Sequence, residues 1–292
     1  MARYLSDGSM DAPKLRVAMN MGTLMNLPEW SIWPGLGGAE ALERLKADGF
    51  EAVQGGDEEL LHRDILPVST SGRVNLPNEA DEVVGKSASS GGEALTLHVG
   101  WGIENEDVVD RLVEAILDAS ERYEHPVFIE THRATITQDP WRTIRVVEKF
   151  PEVRFNGDFS HYYCGLEMPY GGCELKWDFM APIFERVGYL HGRIAAPGFM
   201  QAPIENASDR PRAALGADYL ADFKEMWRRS MAGFKRNAGP GGVLVFAPEL
   251  LPPEISYARV FPDAKGNLVE EVDRYEQALI YRDIAREVFA GA

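Results

Sequence analysis

Four stretches of the chain run from apolar residues straight into side chains that do acid–base or metal chemistry. They are VFIETHR (127–133), VRFNGDFSH (153–161), GYLHGR (188–193) and GVLVFAPEL (242–250). Glu130, Asp158, His191 and Glu249 close the four runs; His161 follows Asp158 by three positions and Arg193 follows His191 by two. A single glutamate after a strand is ordinarily a loop residue, and a lone histidine is ordinarily structural. Four consecutive runs ending alike are harder to dismiss. Three carboxylates gathered at one place repel one another and resist ionisation unless a cation sits among them. An oxygen-rich set with one imidazole suits Mn²⁺, Mg²⁺, Co²⁺ or Zn²⁺. The chemistry open to such a site is polarisation of a carbonyl by the ion and removal of the adjacent C–H proton by a carboxylate.

These residues meet only if the runs are parallel strands of one sheet. Short apolar runs read as strands at 15–20, 51–55, 65–70, 94–100, 126–131, 153–158, 188–193 and 242–250. Helical patterns separate most of them. GAEALERLKADGF (38–50) carries Ala41, Leu42 and Leu45 on one face and Gly49 as its stop. Residues 105–123 hold the strongest apolar stripe, with Asn105 as cap. Residues 139–150 begin with Asp139 and Pro140, at a position where proline is tolerated. Residues 175–187 contain Pro182, a kink or break; 217–236 and 271–290 complete the set. Strands alternating with helices imply parallel βαβ units, and eight units in 292 residues match a (β/α)8 TIM barrel. The expectation is a single-domain α/β protein: an N-terminal arm over 1–13 and a barrel over 14–292. A doubly wound sheet would show a glycine-rich phosphate turn after its first strand. The region after residue 20 is instead a long loop with Trp30 and Trp33. Barrel active sites lie at the C-terminal ends of the strands, where the four runs place their polar residues.

The stretches FIETH, GDFSH, LHGR and FAPE resemble the xylose-isomerase-like TIM barrel superfamily. More narrowly, they are similar to its sugar isomerase/epimerase branch, which includes ketose 3-epimerases and inosose dehydratases; the resemblance covers residues 14–290. It implies that Glu130, Asp158, His191 and Glu249 hold one divalent ion, manganese before magnesium, cobalt or zinc. It implies that His161 and Arg193 contact substrate oxygens, and that Glu130 and Glu249 face opposite sides of the reacting carbon. It also implies a homo-oligomer. The second acidic metal set and lysine of true xylose isomerases are not seen, nor are the extra histidines of the endonuclease IV branch. The function expected is isomerisation or epimerisation of a keto-sugar or polyol ketone through an enediolate. The alternative is a lyase on the same site, a dehydratase of the inosose type or a keto-glycoside-cleaving enzyme.

Composition narrows the field further. Lys and Arg total 30 against 46 Asp and Glu, a formal charge of −16. Such a surface disfavours nucleic acid, whose binding depends on cationic contacts, and offers no basic handle for anionic membranes. Cys164 and Cys173 form no CxxC motif and read as free thiols in a reducing cytoplasm. The first 15 residues lack the apolar core of a signal peptide. Trp30, Trp33 and Trp101 fall on expected rim loops, where an indole face would cover a sugar ring. His98 ends its strand close to the same rim, and the roles of His132 and Arg133 stay open. His62 and His125 read as structural.

Overall fold

The computed structural model describes residues 4–56, 60, 65–204 and 218–292. His62 and part of the loop before residue 219 lie outside them. Eight parallel strands close a barrel in sequential order: β1 (Lys14–Asn20), β2 (Ala52–Gln54), β3 (Val68–Val74), β4 (Ala94–Val99), β5 (Val127–Glu130), β6 (Phe155–Gly157), β7 (Val187–Gly192) and β8 (Val243–Pro248). The last strand returns to the first through a register running from Lys14 opposite Val243 to Val17 opposite Phe246. Around it lie α1 (Gly38–Ala47), α2 (Ala80–Ser89), α3 (Glu106–Arg122), α4 (Pro140–Lys149), α5 (Ser160–Gly165), α6 (Glu174–Phe179), α7 (Ala181–Phe184), α8 (Tyr219–Asn237) and α9 (Arg274–Ala290). A two-stranded hairpin, β9 (Val260–Pro262) with β10 (Leu268–Glu270), rides on the β8–α9 connection.

Local rules account for the helix ends. Asn105 caps α3 by accepting from the Val108 N–H at 3.0 Å, and Asp139 caps α4 by accepting from the Arg142 N–H at 2.9 Å. The expected 175–187 helix divides at Met180 into α6 and α7, with Pro182 in the first turn of the second piece. The strand expected at 65–70 lies at 68–74 instead. Pro67 precedes it, because proline cannot donate to the ladder from within.

The barrel interior decides where the site can be. Its floor is built of Ala18, Ala52, Ala94, Phe128, Tyr189, Val243, Val245 and Ala247. Four alanines leave room for the Phe128 and Tyr189 rings, whose centroids are 5.9 Å apart. Side chains on a strand alternate between its faces, so the residue two positions on points the same way. From Ala18, Ala52, Phe128, Tyr189 and Ala247 that rule reaches Asn20, Gln54, Glu130, His191 and Glu249. The packing that fills the floor therefore aims the polar tips inward. Gly192 has a specific role: a Cβ there would stand 2.4 Å from Phe246 Cζ, so only glycine fits between His191 and Arg193.

Residues 4–7, expected as part of a loose arm, are docked under the barrel. Val243 N–H donates to the Leu5 carbonyl at 2.8 Å, Asp7 N–H to that of Gly241 at 3.0 Å, and Tyr4 packs edge-on against Phe234. At the other end of the barrel, the buried Arg274 guanidinium ties two rim loops together. It donates to the Thr23 and Met25 carbonyls at 2.7 Å each and to Asn26 O at 3.2 Å, and it pairs with Glu270 at 2.5 Å. Arg274→Met leaves a buried carboxylate and several carbonyls unpaired, so a loss of about 3–5 kcal/mol in urea unfolding is expected. A loss within experimental error would show that these loops hold without it.

Candidate metal centre and active site

Glu130, Asp158, His191 and Glu249 converge at the C-terminal mouth of the barrel. Each offers a ligand atom, and these atoms all lie within 4.8 Å of one another. Glu130 is the last residue of β5, Asp158 and Glu249 immediately follow β6 and β8, and His191 is the penultimate residue of β7. The first three are 4%, 0% and 2% exposed when taken as Glu130, Asp158 and His191. His191 Nδ1 sits 3.3 Å from Glu249 Oε2 and 3.5 Å from Glu130 Oε2. It is buried and has no hydrogen-bond partner among the described residues.

Arg193 and His161 enter the same cluster. Arg193 Nη2 pairs with Asp158 Oδ2 and lies 3.0 Å from Glu249 Oε2. His161 Nε2 is 3.5 Å from Asp158 Oδ2 and 3.4 Å from Arg193 Nη2. Arg193 Nη1 and His161 Nδ1 are buried without partners among the described residues. Asp158 Oδ1 accepts from the Ser160 N–H at 3.0 Å and from its hydroxyl.

The electrostatics follow from this crowding. Burial disfavours the His191 imidazolium, but the Glu249 and Glu130 carboxylates outweigh it and push the ring up to about 9. Burial likewise opposes the Glu249 charge, and the His191 and Arg193 cations overcome it, holding that carboxyl well below its ordinary range. His161 is driven the other way by burial and by Arg193, and stays neutral. His98 Nε2 approaches Glu130 Oε1 at 3.1 Å; burial lowers its pKa, yet Glu130 raises it more.

Three features fit a divalent ion. The donor set is oxygen-rich with one imidazole. Its buried ring nitrogen faces two carboxylate oxygens and lacks a partner. The ring's other nitrogen is already engaged, 2.9 Å from Gln54 Oε1. A second grouping, His98, Glu130 and His132, also brings ligand atoms within 4.8 Å. There the Ala134 N–H donates to His132 Nδ1 at 3.1 Å, which puts the His132 proton on Nε2. His132 so held presents a donor, not a ligand lone pair. Burial and the neighbouring His161 and His98 lower its pKa to about 2, so the ring stays neutral.

Other residues reach the site that the sequence reading did not assign. Asn20, Gln54 and Asn156 form a carboxamide layer around His191, all on strand tips. The rule applied to the last four strands, extended to all eight, points to Asn20 and Gln54. Tyr257 comes from the β8–α9 insertion. Its ring lies over the Arg193 guanidinium at 4.6 Å, and its hydroxyl is 3.5 Å from His132 Nε2. Ser256, just before it, has a φ of +63°, an uncommon left-handed conformation at a non-glycine residue. Nothing in the sequence marks that turn. Of the tryptophans expected at the rim, Trp30 and Trp101 are exposed. Trp33 is buried against Tyr275, with ring centroids 4.7 Å apart, and so belongs to the packing. His125 is buried and bonds Ser87 at 2.7 Å, and Cys164 and Cys173 are free thiols.

No protein-family model and no curated protein matches the chain. Two of the solved structures that share its fold illustrate the likeness. One is the probable 3-DHS dehydratase AsbF involved in petrobactin synthesis from Bacillus anthracis. It is 12% identical and covers 82% of this chain and 94% of its own, with a TM-score of 0.52. The other is a xylose isomerase domain protein from Planctomyces limnophilus, 14% identical, covering 97% of both chains with a TM-score of 0.50. At these identities the likeness is one of fold, a closed barrel of eight parallel strands ringed by helices. Among the described residues, no helix is long and apolar enough to cross a membrane.

Proposed function

We propose that the chain is a divalent-metal-dependent enzyme that isomerises or epimerises a keto-sugar or related polyol ketone. The observation that carries this reading is the buried Nδ1 of His191, faced at 3.3 and 3.5 Å by the Glu249 and Glu130 carboxylates with Asp158 beside them. A divalent ion bound by these four, with manganese the first choice, would polarise the substrate carbonyl and acidify the neighbouring C–H bond. The residues supply the rest. Glu130 and Glu249 are the proton carriers, one taking the proton and the other returning it. Arg193 Nη1 and the neutral His161 ring, both with unspent hydrogen-bonding capacity, hold substrate oxygens as negative charge develops there. The carboxamides of Asn20, Gln54 and Asn156 fix the His191 ring and the Glu249 carboxylate.

A second reading, loss of water from the same kind of substrate, is favoured by one specific feature. The un-ionised Tyr257 hydroxyl stands at the mouth as a proton donor, 3.5 Å from His132 Nε2. A departing hydroxyl group needs such a donor, whereas epimerisation does not. The products distinguish the two readings: water loss gives a conjugated ketone with new ultraviolet absorbance, and epimerisation leaves the spectrum unchanged.

Elemental analysis of the purified protein by mass spectrometry is expected to find about one divalent ion per chain, and chelation is expected to abolish turnover. Re-addition of Mn²⁺ should restore it. Undiminished turnover after complete removal of metal would refute the proposal.

A further inference from the structure

We infer that Gln54, at the tip of β2 and outside the proposed ligand set, fixes the tautomer of His191 and so reserves Nδ1 for the cation. This rests on the reading of His191 as a metal ligand. The inference starts from a backbone amide, which donates and cannot accept. Gly22 N–H lies 2.9 Å from Asn20 Oδ1, so the Asn20 oxygen is the atom turned towards it. The fit is close, since a Cβ on Gly22 would stand 2.9 Å from that oxygen and 2.8 Å from Leu251 Cδ2. Asn20 Nδ2 must then face the other way, 3.0 Å from Gln54 Oε1 and 3.3 Å from Glu249 Oε1. Asn20 and Gln54 are direct partners in the β1–β2 ladder, which keeps the two amides in register.

The Gln54 oxygen is therefore the acceptor end. Its nitrogen donates to Thr96 Oγ1 at 2.9 Å and to Ser71 Oγ at 3.3 Å, and the Thr96 hydroxyl passes its own proton to the Thr70 carbonyl at 3.4 Å. His191 Nε2, 2.9 Å from Gln54 Oε1, can meet that oxygen only as N–H. Asn156 does not share this role. Its Nδ2, 3.0 Å from the same ring nitrogen, is a donor that also reaches Glu130 Oε2 at 3.4 Å, so the acceptor for the ring proton is Gln54 Oε1. With the proton held on Nε2, the lone pair of the neutral ring is on Nδ1, the atom facing Glu130 and Glu249. Without an acceptor at Nε2, those two carboxylates would keep on Nδ1 the one proton left when the imidazolium becomes neutral, where it competes with a metal. Gln54 touches none of the proposed proton carriers, so its part is positioning.

The test is Mn²⁺ affinity by titration calorimetry for wild type, Gln54→Met and Gln54→Glu. Methionine fills the same space without a good acceptor; glutamate keeps the acceptor oxygen. Gln54→Met is expected to weaken binding about 10–100-fold, and Gln54→Glu to stay within about threefold of wild type. Wild-type affinity in Gln54→Met, with loss in Gln54→Glu, would overturn the inference and make Gln54 a packing residue. Absence of Mn²⁺ binding by wild type would instead overturn the functional reading, and this inference with it. A second measurement needs no variant of Gln54. In ¹⁵N-histidine spectra of the Zn²⁺-loaded wild-type protein, the ring assigned by its disappearance in His191→Gln should carry its proton on Nε2. A proton on Nδ1 of that ring would refute the assignment.

Discussion

Glu130→Gln is expected to lower kcat/KM by about 10²–10⁴-fold, or below detection, while the protein stays folded. The substitution keeps the shape of the side chain and removes its charge and its basicity. Glu130 is held from several directions: its carbonyl accepts from the Thr137 hydroxyl at 2.5 Å, and its carboxylate meets His98 at 3.1 Å and Asn156 at 3.4 Å. Those contacts need a planar group of this size, which glutamine supplies, so circular dichroism and melting should change little. What glutamine cannot do is accept a proton from carbon, and it is the weaker ligand for a divalent ion. The two losses separate by measurement. Deuterium uptake from solvent at the substrate carbon reports the base, and Mn²⁺ titration reports the ligand. Full activity in Glu130→Gln would end its assignment as the base. Glu249→Gln is the companion case, and wild-type Mn²⁺ affinity in that variant would end its assignment as a ligand.

The barrel was legible because the elements that form it obey local rules strongly. Asn105, Asp139 and Gly49 mark helix ends by capping and by a left-handed φ of +87°, and each acts where the sequence placed it. Helix α2 was not legible. Only Ala80, Val84 and Ser87 are buried in it, and Gly85 interrupts the run, so its amphipathic stripe is too thin to read. The convergence of Glu130, Asp158, His191 and Glu249 was readable because strand order and a two-residue period suffice to predict it. The environment of those residues was not. That Arg193 pairs with Asp158 and approaches Glu249, and that Tyr257 covers Arg193, depend on side-chain rotamers and on an insertion of more than twenty residues whose turn at Ser256 has no sequence signature. His132 is the clearest case. Its position two residues after Glu130 left its role open, and a single backbone contact from Ala134 fixes it as a donor.

The affinity for Mn²⁺ is expected to fall about tenfold for each pH unit below 9, by roughly a hundredfold between pH 8 and pH 6. The sign comes from His191. Its pKa is raised from the ordinary 6.5 to about 9, because the Glu249 and Glu130 carboxylates outweigh its burial. At neutral pH the metal-free ring is therefore an imidazolium, with a proton on the Nδ1 that the ion requires. Ion and proton compete for one lone pair, so each binding event expels a proton, and acid opposes it until the pH exceeds the raised pKa. Calorimetry in buffers of different ionisation enthalpy should show about one proton released per Mn²⁺ at pH 7. The same shift has a second consequence. In the metal-free protein the charged ring contributes stability that is fully present below 6.5 and is lost as the pH rises through 9. The metal-loaded protein, with that proton already gone, should lack this dependence. Melting temperatures of the two forms should therefore diverge as the pH is raised. Parallel melting curves across that window, with no proton released on binding, would show that His191 is not the residue the ion displaces a proton from.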